Sequence, residues 1–442
     1  MYPSQPPPPP HPPSAPAPPP YTPPYTPHPH EDAAAHRRRT APWNSTTLRA
    51  VALISLLALS GVVIIGMVRQ ETGTEGFLVG LGLAVFPVPL LLAAFCWLDR
   101  VEPEPWRNLA FAFAWGACAA ALVALLANGF ATDWLAANIA SASPSEAEAW
   151  GATVIAPVVE EVAKAAAVLF LYRFRRNDFD GITDGIVIAG ITATGFAFTE
   201  NVLYLGNAFG EDQSMGHSGL DSLTAGAFFF RIIVSPFAHP LFTILTGLAF
   251  GIAANRYPRR RAARIALALL GLLTAVLLHA IWNGASSLGD PGFLIVYGLF
   301  MVPVLLALTW LAIWARNQEL LSLRGYLAPY ITAGWLTPTE PAALSSLKTR
   351  ALARDIARTT HGPAAARAVT EYATVATTLS FHRRRAHLLG PAPDFFHREQ
   401  HLLQHLRYYQ QWGRGALVDA FRTTHQPCES DRFPRHGGPG IQ

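Results

Sequence analysis

The sequence predicts an all-α, polytopic membrane helix bundle of about eight spans, and three observations carry that expectation. Half of the 442 residues are hydrophobic (51%), while only 14% are charged against a usual ~25%. The mean hydropathy is positive, at +0.25. Nearly all charged residues also avoid eight long apolar runs, at about 47–68, 76–98, 108–130, 151–172, 183–206, 227–253, 263–286 and 293–315, each long enough for the ~20 residues that cross a hydrocarbon core. A formal charge of +4 therefore says little about nucleic acid, and none is expected as a partner. Lys and Arg in such a chain report which loops stay in the cytoplasm. Three cysteines, Cys96, Cys118 and Cys428, are too few for a disulfide framework.

Taken in order, residues 1–46 read as a disordered, Pro-rich cytoplasmic tail: 17 of the 37 prolines fall in the first 43 residues, and runs such as Pro6 to Pro10 cannot make helix ladders. A spacer is the expected role, with an unidentified tail-binding partner as the alternative. The first apolar run starts near residue 47, too late for a signal peptide. Residues 47–315 then form the transmembrane domain. Arg37 to Arg39 and Arg49 precede span one, Arg100 and Arg107 follow span two, and Arg173, Arg175 and Arg176 follow span four. Five arginines lie between spans six and seven, and Arg316 and Arg324 follow span eight. The loops at 131–150, 207–226 and 287–292 contain no Lys or Arg. Only Arg69 departs from a multi-pass topology in the cell membrane with both termini cytoplasmic.

Residues 316–442 read as a cytoplasmic helical region with a disordered end after about Gln426. Helical spacing covers 340–358, 363–388 and 393–412, with breaks at Gly362-Pro363 and Gly390-Pro391. His397, His401 and His405 share one helix face, but their neighbours Arg398, Glu399 and Gln400 mark an ordinary solvated surface.

Ionisable groups inside a span cost a few kcal/mol each and need a partner, a wet cavity or a task. Spans four to seven carry them. Span four holds Glu160, Glu161 and Lys164; the i, i+4 spacing pairs Glu160 with Lys164 and turns Glu161 about 100° away. A locking ion pair would account for one carboxylate, and two exceed it. Span five ends with Glu200, Asn201 and Tyr204, span six holds Arg231 and a Pro-flanked His239, and span seven places His279 and Asn283 one turn apart. From the outer ends, at 1.5 Å per residue, Glu160 lies at roughly 13 Å, Glu200 at 9 Å, His239 at 18 Å and His279 at 10 Å. Groups from four antiparallel helices thus reach the outer half of one bilayer, as a shared polar site requires.

Such a site can activate water. A glutamate or histidine can take the proton, two histidines and a glutamate can hold a zinc ion with an open water position, and Asn283 could donate to an oxyanion. No serine or cysteine nucleophile stands out in these helices, and HExxH is absent.

Glu160-Glu161-x-x-Lys164, Phe196-x-x-x-Glu200-Asn201 with Tyr204, His239 in a Pro-rich span, and His279-x-x-x-Asn283 resemble the PrsW family of intramembrane proteases. That family is distantly similar to the CAAX prenyl-protease and bacteriocin-processing membrane proteins. Lys164 for Arg and Glu200 for His depart from the wider group and match the PrsW branch. The resemblance covers roughly residues 45–315 and implies a peptidase for membrane-embedded proteins, with anti-sigma factors the type case. It implies catalysis by Glu160, Glu161, Glu200, His239, His279 and Asn283, through either a metal, with His239, His279 and Glu200 as ligands and zinc as the ion, or a metal-free glutamic mechanism. Two other classes stay open: a secondary transporter or proton relay, which should show two related halves, and a non-catalytic scaffold recruiting partners through its tails.

Overall fold

The computed structural model describes residues 46–138, 144–175, 178–179, 181–257 and 259–425. The expected disorder of the tail and of the end beyond Gln426 lies outside them, apart from Thr46, which begins the first helix. No strand occurs among the described residues.

Helix α1 (Thr46–Ala84) is interrupted at Gly73, whose φ of 72° is open to glycine and strained for other residues. Helix α2 (Pro87–Leu98) starts on a proline, which suits a first turn because its missing N–H would have no helical partner there. α3 (Trp106–Ala114) passes through a wider π-helical turn, Trp115–Ala120, into α4 (Ala121–Asn138). α5 (Pro144–Trp150) likewise leads through a π-helical turn, Gly151–Ile155, into α6 (Ala156–Phe174). α7 (Ile182–Met215) follows, then α8 (Leu223–Phe228), whose π-helical continuation Phe229–Val234 stops at Ser235-Pro236. α9 (Ala238–Arg256), α10 (Arg261–Ala285), α11 (Gly289–Val296) and α12 (Val302–Thr332) complete the apolar part.

Six stretches among the described residues are long and apolar enough to cross a membrane. The count of eight does not follow from length and apolarity alone, for two physical reasons. Expected spans one and two lie in a single 52-residue stretch, Thr47–Leu98, broken at Gly73. Expected span four is α6, whose Glu160, Glu161 and Lys164 make it too polar to stand out.

Helix α7 is the centre of the bundle: 83% of its apolar window is buried, against 6% for the stretch containing α12. Its composition explains this. Lipid tails are as apolar as leucine, so membrane helices associate by close packing of small residues. Gly185 of α7 and Gly247 of α9 cross so tightly that a Cβ on either would sit 2.1 or 2.0 Å from the other's carbonyl oxygen. Any side chain there would separate the two helices that carry Glu200 and His239.

α12 runs without a break across residue 315. Its last turns bury Leu320, Leu323, Leu327 and Tyr330 against Leu344, Val369, Tyr372, Leu379, Leu406 and Leu417. These come from α13 (Glu340–Leu344), α14 (Leu347–Leu389) and α15 (Phe395–His425). α14 is kinked where the sequence places Gly362-Pro363, with Gly362 at φ 83°, and ends at Gly390 as expected. α15 continues 13 residues past the expected 412, to His425. His397, His401 and His405 are exposed on its surface.

Candidate active site

The site grows from one face of α6. Glu161 is fully buried and saturated: its Oε1 faces Lys164 Nζ at 2.9 Å and His279 Nδ1 at 3.0 Å, and its Oε2 accepts from Thr243 Oγ1 at 2.8 Å. Glu160 instead lies on the wall of a cavity of about 870 Å³. Its Oε2 is 3.3 Å from Lys164 Nζ and 3.8 Å from His279 Nε2, and its Oε1 is 3.4 Å from Asn128 Nδ2. The sequence pairs Lys164 with Glu160 alone. In the fold, Lys164 bridges both carboxylates, and the one turned from the i, i+4 partner is the closed one.

The imidazoles are oriented by carboxylates, as ligating histidines generally are. His279 Nδ1–H donates to Glu161, which turns Nε2 toward Glu160. Phe242 stacks on its other side at 4.6 Å. His239 sits in the first turn of α9, after the Ser235-Pro236 break, and its Nε2–H donates to Glu200 Oε2 at 2.7 Å. Its Nδ1 then accepts from Lys164 Nζ at 3.1 Å. Glu200 comes from α7, where Tyr204 and Asn201 follow it. Arg231 pairs with the same Glu200 oxygen, donates from Nε to Asn201 Oδ1 at 2.8 Å, and lies over the Tyr204 ring at 4.0 Å.

Glu160, Glu161, Glu200, His239 and His279 are therefore joined in one hydrogen-bonded chain. Asn283 lines the same cavity but stands apart from that chain, with its Nδ2 donating to the Ala152 carbonyl at 2.9 Å. Sequence reasoning gave Arg231 no role and missed Thr243 and Asn128. Thr243 had a signal, since it follows His239 by one helical turn. Asn128, a neutral amide in an otherwise apolar run, had a weak one.

One atom each from Glu160, His239 and His279 lie within 4.8 Å of one another, the one such group among the described residues that could hold a metal ion. Three ligands on one tetrahedral ion stand about 3.4 Å apart, so the three donors would draw together, and His239 would offer Nδ1 in place of its contact with Lys164. The third member is Glu160, while Glu200 is held by Arg231. Two further observations fit a cation. The Lys164 ammonium already sits among Glu160, Glu161 and His239, marking where these donors draw positive charge. In their ordinary ionised forms, three carboxylates against Lys164 and Arg231 leave one negative charge for a bound cation to offset.

The family described as "PrsW family intramembrane metalloprotease" matches residues 104–308, a range that contains every residue of this site. Residues 104–308, the segment that carries the whole site, belong to the PrsW family. The chain is therefore a membrane-embedded peptidase, and a family of metalloproteases accords with the Glu-His-His donor set. Two curated relatives are similar to it. "Protease PrsW" of Geobacillus kaustophilus (strain HTA426) is 28% identical over 245 residues, which is 55% of this chain and 92% of that protein. "Protease PrsW" of Halalkalibacterium halodurans is 27% identical over 146 residues, 33% of this chain and 57% of that one. No solved structure matches. Helices α13 to α15 lie outside the family match.

Proposed function

We propose that this chain hydrolyses peptide bonds of membrane proteins in the cavity between α6, α7, α9 and α10, with anti-sigma-factor-like proteins as the substrate class the resemblance implies. The observation that carries the reading is the convergence of Glu160, His239 and His279 to within 4.8 Å on the wall of an 870 Å³ cavity inside an apolar bundle. A chance polar contact needs no such space beside it.

Glu160, His239 and His279 would hold the divalent ion, with zinc the best match to two imidazoles and a carboxylate. When bound, it supplies a Lewis acid that lowers the pKa of water and polarises a carbonyl. The chain's own residues do the rest. Glu161, held by Lys164, Thr243 and His279, fixes the His279 ring. Glu200 Oε2 fixes His239, and Oε1, which has no protein partner among the described residues, lies on a side chain that lines the cavity. That oxygen accepts the proton of the attacking water as the water oxygen adds to the carbonyl carbon. The same proton then passes to the amide nitrogen as the C–N bond breaks.

Both termini are assigned to the cytoplasm, from the arginine distribution. A reporter in loop 207–226 should read the outer side and one after Arg316 the inner side; either reversed would sink that orientation. Cleavage itself is tested with the purified full chain in lipid nanodiscs and a fluorogenic transmembrane peptide. Wild type should cleave and folded Glu160→Gln should not. Equal cleavage by both would remove the site from the reaction.

A further inference from the structure

Arg231 is the one cation of the cavity that the chemistry above leaves unused. It sits in the π-helical turn Phe229–Val234 and meets Glu200 at Oε2, the oxygen that also holds His239. Three groups of α7 pin it: the Tyr204 ring beneath the guanidinium, the Asn201 carbonyl on Nε, and Glu200 on one Nη2–H. A guanidinium has five N–H groups. Two are spent on these acceptors, so three have no protein acceptor among the described residues. The side chain is 27% exposed, and it lines the catalytic cavity. Neutralising Glu200 alone would ask for neither the aromatic platform nor the fixed plane.

Hydrolysis in a bilayer needs a donor at this place. A transmembrane substrate must unwind around the scissile bond, which strips its carbonyls of helical partners in a medium with little water to replace them. Negative charge then develops on one of those oxygens, and a preorganised donor in a low-dielectric site is worth most at that moment. Arg231 is held rigid and carries positive charge. It lies one carboxylate oxygen away from the His239 imidazole, hence next to where the water attacks. Asn283, the donor the sequence suggests, already gives an amide hydrogen to Ala152.

We propose that Arg231 is a further catalytic residue, which donates to the scissile carbonyl oxygen and stabilises the oxyanion formed on water addition. The inference rests on the peptidase reading. The electron pair of the C=O double bond moves to that oxygen as water adds, and returns when the C–N bond breaks. Arg231 keeps its protons throughout.

The test uses the full chain in nanodiscs, with wild type, Arg231→Gln and Arg231→Lys. Three quantities are read: steady-state kinetics, affinity for a phosphinic peptide analogue of the tetrahedral intermediate, and metal per chain. In Arg231→Gln, kcat should fall about 10²–10³-fold, as for loss of one oxyanion donor, with KM within about threefold. Affinity for the analogue should fall by a similar factor, since it resembles the transition state, while metal per chain stays at the wild-type value. Wild-type kcat in Arg231→Gln, or a loss shared equally by substrate and analogue, overturns the proposal. Should Arg231→Gln misfold, Arg231→Lys decides: it keeps the charge beside Glu200 but loses the fork. Analogue affinity equal to wild type in Arg231→Lys overturns the donor role, and weakened affinity supports it. Failure of wild type to cleave or to bind the analogue would instead remove the peptidase reading, and this proposal with it.

Discussion

The carboxylates held in two parts of this chain, the C-terminal helices and the bundle, behave differently. In the helical region of α13 to α15, Glu340 is fully buried, takes the Tyr372 hydroxyl on Oε1, and faces the Thr337 N–H and Arg414 Nε on Oε2. Glu399, half-buried, receives Arg383 and Tyr330 on Oε1. Neither lines the cavity that Glu160 and Glu200 share. In the bundle, Glu160 and Glu200 have comparable cations beside them, yet both open onto some 870 Å³ of space shared with an imidazole. Burial and pairing are thus common to both regions, and the cavity separates them. A closed carboxylate network holds helices together; an open one, with donors converging on a single point, can do chemistry.

The sharpest way to break that contrast is to remove single members of each network. Glu160→Gln and His279→Ala should each lower cleavage by at least about 10²–10⁴-fold, the range over which positioned acid–base groups act. Glu161→Gln touches no cavity but loosens the ring of His279, and it should be nearly as harmful. Members of one unit are not additive, so Glu161→Gln with His279→Ala should be hardly worse than either alone. Additive losses would mean separate roles. Glu340→Ala should do the reverse, costing about 3 kcal/mol of stability, near the low end for a broken buried pair because Arg414 is a third exposed. Denaturant unfolding checks the cost, and cleavage at permissive temperature should persist. Loss of cleavage in folded Glu340→Ala would show that the two regions are coupled.

A third pair of acids sits between these regions, in the loop joining α2 to α3. Asp99 is pushed up to about 8, chiefly by burial, and Glu104 to about 9, by burial and then by the nearby Asp184. Between about pH 4 and these values the native state keeps protons that the unfolded chain has released, so native stability falls as pH rises through that window and levels off above it. Thermal midpoints at about pH 5 and about pH 8.5 should show the fall, and Asp99→Asn should flatten part of it. A midpoint that rises with pH over this window would contradict the burial of these carboxyls. The smallest effect is expected at Asn283, whose amide ties α10 to the Gly151–Ile155 turn. Asn283→Ala should lower kcat less than about tenfold, well short of Arg231→Gln.

Much of the site was legible in the sequence because the solvent is lipid. An ionisable group in an apolar run stands out, and the expected topology places Glu160, Glu200, His239 and His279 in the outer half of one bilayer. Which carboxylate faces the cavity was not legible. Spacing pairs Lys164 with Glu160, but the ammonium reaches both, and only the arrival of Thr243 and His279 on Glu161 decides that Glu161 is the closed one. Arg231 was invisible as a participant for the same reason: its partners lie some 30 residues away on another helix. Of the fold, the breaks at Gly362-Pro363 and Gly390 were readable from backbone chemistry. The π-helical turns that aim Arg231 and join α5 to α6 leave no composition signal, and α15 extends past its apolar periodicity by packing Leu417 and Ala420 into a core that no local pattern reveals.

The central claim is that Glu160, His239 and His279 form one metal-holding, water-activating centre. Metal per chain, measured by mass spectrometry on the purified full-length protein in lipid nanodiscs, tests it most directly. The expected result is one divalent ion per wild-type chain and none in His239→Ala with His279→Ala, with both proteins folded. A metal-free wild type that cleaves at full rate in the presence of a chelator would contradict it, and would assign water activation to the glutamates alone.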